Sequence, residues 1–174
     1  MHRNLFQRRE TAELMLQTLF RYRDGGEFQL HEYVVMPDHI HVLLTPKAGG
    51  TIERAAQLIK GGFSHELRKT RSQLTAVWQQ RYHDRRIRDA NEYAEIARYI
   101  RENPVRKGLV TAAVDWPYSS AASTVILDEP PQGLKPHRNE WLGGAGLKAS
   151  STETESRNAG LKASSTQELN NVLS

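Results

Sequence analysis

Residues 28–46 read FQLHEYVVMPDHIHVLLTP. The stretch 28–36 is β-branched and aromatic, the composition of a strand, and residues 39–46 repeat it after the turn signal Pro37-Asp38. Two strands joined so tightly form an antiparallel hairpin. Side chains at i and i+2 of a strand share a face. His39 and His41 therefore project side by side, while Ile40 and Val42 point the other way, into the core.

Helical segments flank the hairpin. Residues 9–24 (RETAELMLQTLFRYRD) carry Ala12, Met15, Leu16, Leu19 and Phe20 at helical spacing, and Gly25-Gly26 ends the helix. After Gly49-Gly50, Thr51 is placed to cap a second helix reaching about residue 70, with the apolar stripe Ile52, Ala55, Ile59, Phe63, Leu67. Gly61-Gly62 inside it costs about 1 kcal/mol per glycine relative to alanine. Close approach of another group to that backbone is a reason to keep them. Residues 76–88 (AVWQQRYHDRRIR) suggest a third strand, and residues 91–102 (NEYAEIARYIRE) a third helix stopped by Pro104.

From about residue 128 the apolar periodicity gives way to Pro130-Pro131 and then to glycine, serine, threonine and asparagine. AGLKASST stands at 145–152 and again at 159–166, two polar copies where a solenoid needs at least three packable units. The reading is one domain over residues 1–127 and a largely disordered tail over 128–174.

The 174 residues contain no cysteine, which excludes disulfides, thiolate nucleophiles and cysteine-ligated zinc. No apolar run approaches the roughly 18 residues of a membrane helix. The start, MHRNLFQRRE, lacks the apolar core of a signal peptide, so the expectation is a cytoplasmic protein without a membrane partner. Lys and Arg number 24 against 20 Asp and Glu, for a formal charge of +4 and a pI near 9.5. The cations are dense from Lys60 to Lys107 and can neutralise phosphates; otherwise they form a solvated, salt-bridged surface.

His39, His41, Tyr99 and Asn103 carry the candidate chemistry. Two histidines on one strand face can hold a divalent cation. Tyr99 and Asn103 lie four apart on the third helix and share a face. The asparagine oxygen can complete a hard coordination shell, and the tyrosine can reach a phosphate held there. Phenol is a weak nucleophile at neutral pH, with a pKa of about 10. A cation on the phosphate oxygens stabilises the developing charge and aligns the phosphorus. Each residue also has a plain structural reading: an incidental His-X-His, a half-buried tyrosine, an asparagine leading into Pro104.

The motifs taken together resemble a known family. YVVMPDHIHVLLTP (33–46) resembles the histidine–hydrophobic–histidine block of the single-tyrosine HUH transposases. YIRENPVRKGLV (99–110) is similar to their nucleophile helix, and DWPYSS (115–120) to the segment that follows. IKGGF (59–63) and WQQRYHDRRIRD (78–89) resemble the REP-associated tyrosine transposase branch, and the likeness runs over residues 5–123 in order and spacing. It implies an α+β, ferredoxin-like antiparallel sheet with helices on one face, and a Mg²⁺ or Mn²⁺ site. It makes His39, His41 and Asn103 the metal ligands and Tyr99 the nucleophile. Such a tyrosine attacks a phosphodiester in single-stranded DNA, leaving a 5′-phosphotyrosine and a free 3′-OH, with no nucleotide cofactor. The branch recognises repeats that fold into hairpins. Lys60, Arg85, Arg86 and Arg88 are then candidate backbone contacts, and Trp78 or Tyr82 can stack on bases; a tryptophan in a strand is also an ordinary core residue. Relatives differ on whether one subunit or two supply the site, so a homodimer is a further expectation.

Family members place a strand before the first helix, and this chain starts near that strand's end, at HRNLFQ. The expectation is a missing first strand and an unpaired edge on the His39–Thr45 strand. Three readings follow: an active strand transferase; a truncated or domesticated DNA-binding relic; and a metal-dependent hydrolase using water, with Glu32 or Asp38 as base.

Overall fold

The computed structural model describes residues 4–70, 77–78, 84–131 and 170–173. Helix α1 spans Arg9–Asp24, strand β1 Phe28–Val35, strand β2 Ile40–Pro46 and helix α2 Ile52–Thr70. Strand β3 (Asp84–Ile87), helix α3 (Ala90–Arg106) and strand β4 (Asn170–Leu173) complete the fold. The chain is α+β, and the sheet is antiparallel throughout in the order β1-β2-β4-β3.

Local chemistry explains the boundaries. Gly26 follows α1 at φ 71°, a left-handed turn that glycine adopts without strain. Thr51 Oγ1 accepts the Arg54 N–H at 3.2 Å, the expected cap of α2. Asp89 caps α3 by accepting the Glu92 N–H, and Glu92 reaches back to accept the Arg88 N–H. Pro104 does not stop α3 as its sequence position suggested. The helix runs on to Arg106, and Lys107 N–H reaches the Asn103 carbonyl.

In β1 the alternation breaks once. A bulge between Leu30 and Glu32 leaves His31 as an extra residue opposite β2. Phe28 and Leu30 before it, and Tyr33 and Val35 after it, thereby share one face with Ile40, Val42 and Leu44 of β2. That face packs on Met15 and Leu19 of α1 and on Ile59 and Phe63 of α2. On the opposite face Val34, Met36, Leu43 and Ile87 meet Ala97 and Ile100 of α3. The helices thus cover both faces of the sheet, not one: β2 is buried on both sides, through Ile40, Val42 and Leu44 on one and His41, Leu43 and Thr45 on the other.

The outer edge of β1 is covered by residues 118–128. Val35 N–H bonds to the Tyr118 carbonyl, Ser120 N–H to Tyr33, and Asp128 N–H to Leu30. Asp128 also accepts from Leu30 N–H at 2.7 Å and pairs with Arg23 at 2.9 Å. Trp116 Nε1–H donates to the Val35 carbonyl at 3.0 Å. The other edge of β2 is not open as expected: Val42, Leu43 and Leu44 pair with Leu173, Val172 and Asn171 of β4. Disorder through 128–174 therefore does not hold at 170–173, where a short NNVL segment fills a row of hydrogen-bonding groups. Residues 132–169 and the repeat they contain lie outside the described residues.

The glycine pair of α2 has a partner within the chain. A Cβ on Gly62 would meet the Tyr22 hydroxyl at 2.5 Å, whereas a Cβ on Gly61 would meet nothing within 4 Å. Gly61→Ala is expected to raise stability by up to about 1 kcal/mol in urea unfolding, from helix propensity alone. Gly62→Ala is expected to forfeit that gain because Tyr22 must swing aside. Deleting residues 170–174 is expected to lower the thermal midpoint by more than about 5 °C and to promote aggregation, read by calorimetry and light scattering.

Candidate active site

The histidine pair sits where β2 begins. His41 is inside the strand on the α3 face, and His39 immediately precedes it in the turn closed by Met36 N–H to the His39 carbonyl. Their Nε2 atoms face each other at 3.1 Å. His39 Nδ1 lies 2.6 Å from Asp38 Oδ1. A proton on Nδ1 donated to that carboxylate fixes the ring with Nε2 turned toward His41. Burial, then the nearby His39 and Lys107, pull the His41 pKa down to about 4. His41 is thus an uncharged imidazole at neutral pH, the form that ligates metals.

Helix α3 supplies the other side. Its Tyr99 ring stands 5.6 Å from the His41 ring at 74°, and the tyrosine is 39% exposed. Asn103, one turn on, is buried at 2% exposure, and its Oδ1 has no hydrogen-bond partner among the described residues. An orphaned buried carbonyl oxygen costs roughly 1–3 kcal/mol. Among the described residues no three His, Cys, Asp or Glu side chains group as a metal site. Two imidazoles with converging nitrogens and a buried, unpartnered amide oxygen on the facing helix fit a small divalent cation. His41 and Tyr99 meet within one chain.

The carboxylates considered as water-activating bases are engaged elsewhere. Glu32 pairs with Arg101 of α3 at 3.2 Å and accepts the Ser120 hydroxyl at 2.5 Å. Burial raises its pKa, opposed by Ser120 and Arg101. Asp38 orients His39. His31 is a structural histidine: Nδ1 meets the Asp128 carbonyl at 3.1 Å and Nε2 meets Thr45 Oγ1 at 2.8 Å.

The residues expected to touch DNA do not gather around Tyr99. Trp78 donates its indole N–H to the Lys60 carbonyl and packs against Phe6 and Phe63, on the α1–α2 side of the sheet. Lys60 Nζ lies 5.6 Å from the same indole ring. Arg85 and Arg88 both pair with Glu92, and Arg86 is exposed. Tyr82 lies outside the described residues. Sequence reasoning missed Arg106, whose guanidinium carbon stands 5.0 Å over the Tyr99 ring. The signal was its spacing of seven from Tyr99, almost two full helical turns.

Comparison with known proteins agrees with this architecture. Residues 1–103 match the family described as Transposase IS200 like. The chain belongs to that family of transposases. Within it, the similarity is to REP-associated tyrosine transposases. One from Escherichia coli (strain K12) is 28% identical over 132 residues, covering 75% of this chain and 73% of that protein. A putative one from Haemophilus influenzae is 30% identical over 131 residues, covering 70% of each. A REP-associated tyrosine transposase solved bound to a REP hairpin shares the fold, with a TM-score of 0.60 and 24% identity over 90% of this chain and 87% of that one. No described helix is long and apolar enough to cross a membrane.

The His41 environment gives a pH prediction. Its folded pKa lies below the ordinary 6.5, so as pH falls the unfolded chain takes up the proton first. The metal-free protein is expected to hold its full His41 contribution above pH 6.5 and to lose it progressively toward about pH 4. Urea midpoints measured across that range should fall more steeply for the wild type than for His41→Gln.

Proposed function

We propose that this chain cuts and rejoins single-stranded DNA through Tyr99, with Mg²⁺ or Mn²⁺ held by His39, His41 and Asn103. The observation that carries the reading is the meeting of Tyr99 with His41 of the histidine pair, on a helix that one turn later carries a buried asparagine oxygen without a hydrogen-bond partner among the described residues. A bound cation would polarise the phosphate and stabilise charge developing on its oxygens.

The chain's own groups do the rest. Asp38 holds the His39 ring in one tautomer, and burial keeps His41 neutral. The Glu32–Arg101 pair ties α3 to β1, so that Tyr99 is presented at a fixed distance from β2. The Tyr99 hydroxyl attacks phosphorus and loses its proton to solvent as the oxygen–phosphorus bond forms. The bond from phosphorus to O3′ breaks, and the departing oxygen takes up a proton. One phosphodiester is exchanged for another, so the 5′-phosphotyrosine retains the energy to rejoin a 3′-OH and no nucleotide cofactor is needed. Hairpin-forming strands are the proposed substrate, in keeping with the REP hairpin bound by the structural relative.

The test is incubation with single-stranded hairpin DNA and Mn²⁺, followed by denaturation and a search for a covalent protein–DNA band. The expected outcome is an adduct that disappears in Tyr99→Phe and on chelation, and falls about a hundredfold or more in His41→Ala. DNA binding without any adduct would indicate the binding-only reading. Cleavage surviving Tyr99→Phe would indicate hydrolysis.

A further inference from the structure

Tyr99 is held from two directions. The His41 ring stands 5.6 Å from it on the sheet side, and the Arg106 guanidinium carbon lies 5.0 Å over its ring. Seven residues make 700° of helix, 20° short of two turns, so Arg106 sits on nearly the same stripe as Tyr99. Helical side chains lean toward the N-terminus, which carries the Arg106 stem back along α3 to the ring.

Some arginines of the described residues are tied to carboxylates and others, Arg54, Arg86 and Arg98 among them, are not; Arg106 differs from the latter in standing over Tyr99. Arg9, Arg21, Arg23, Arg85, Arg88 and Arg101 each pair with a carboxylate. Arg106 and its neighbour Lys107 have no carboxylate within ion-pair distance among the described residues, and both are exposed. Two adjacent unpaired cations beside a half-exposed tyrosine attract an anion there. A guanidinium stacked through its face keeps its in-plane N–H edge free, and that edge matches the spacing of two phosphate oxygens.

We infer that Arg106 is a substrate-contacting residue of this site: stacked on Tyr99, it binds the non-bridging oxygens of the phosphodiester that Tyr99 attacks. The inference rests on the nucleophile reading of Tyr99 above. Arg106 stays protonated throughout and transfers nothing. It holds the phosphate against the ring and offsets the charge that builds on the phosphate oxygens as the oxygen–phosphorus bond forms.

The experiment compares the wild type with Tyr99→Phe, Arg106→Gln, Arg106→Lys and the charge-matched control Arg54→Gln on α2. Hairpin DNA affinity is measured by anisotropy, and the single-turnover adduct rate at saturating DNA with Mn²⁺. Arg106→Gln is expected to lower the saturated rate about a hundredfold, more than it lowers affinity, without moving the thermal midpoint. Arg106→Lys should recover part of the rate, and Arg54→Gln should match the wild type. A rate for Arg106→Gln within about threefold of the wild type overturns the inference. An absent wild-type adduct sinks the Tyr99 reading by itself. The Arg106 Nε–H resonance then decides: a shift on adding the same DNA supports phosphate contact, and an unmoved signal overturns it.

Discussion

Ile100 sets the rotation of α3. It is fully buried and, with the small Ala97 one turn earlier, packs on Val34, Met36 and Leu43 of the sheet. Each residue turns a helix by about 100°, so burying Ile100 leaves little freedom to its neighbours. Asn103, three residues on, is carried inward and buried, while Tyr99, one residue back, is left at the rim beside His41. Tyr99 and Asn103 lie only about 40° apart around the helix, so a rotation of α3 by one position, about 100°, would carry both out of their present places together. The site therefore depends on a small apolar contact that contains none of its own groups.

The sheet side depends on parity. In β2 the residues Ile40, Val42 and Leu44 serve the α1–α2 core, so His41 and Leu43 are delivered to α3. A slip of one residue would send both histidines into the larger core. The bulge in β1 makes this compatible with the neighbouring strand. It allows Tyr33 and Val35 to join the core of Phe28 and Leu30, and turns His31 and Glu32 together toward α3. There His31 meets the Tyr93 ring and Glu32 meets Arg101. The bulge thus supplies the ties that hold the tyrosine-bearing helix.

Charge is distributed to the same end. Glu92, itself part of the α3 cap, gathers Arg85 and Arg88, which neutralises the N-terminal end of the helix region. The C-terminal end keeps Arg106 and Lys107 unpaired among the described residues, next to Tyr99.

The sequence by itself determined the elements and the candidate chemistry. Alternation put His39 and His41 on one face, four-residue spacing put Tyr99 and Asn103 on another, and Gly25-Gly26 and Thr51 marked helix boundaries. These are short-range properties, fixed by backbone geometry within a few residues. Tertiary structure alone decided which faces meet. The pairing of β4 with β2, the placement of helices on both sides, the Tyr22 contact over Gly62 and the capture of Arg85 and Arg88 by Glu92 all follow from packing. A charged residue's partner depends on burial and distance in the folded chain. Composition therefore showed that arginines were abundant, but only the fold showed which of them lack a carboxylate.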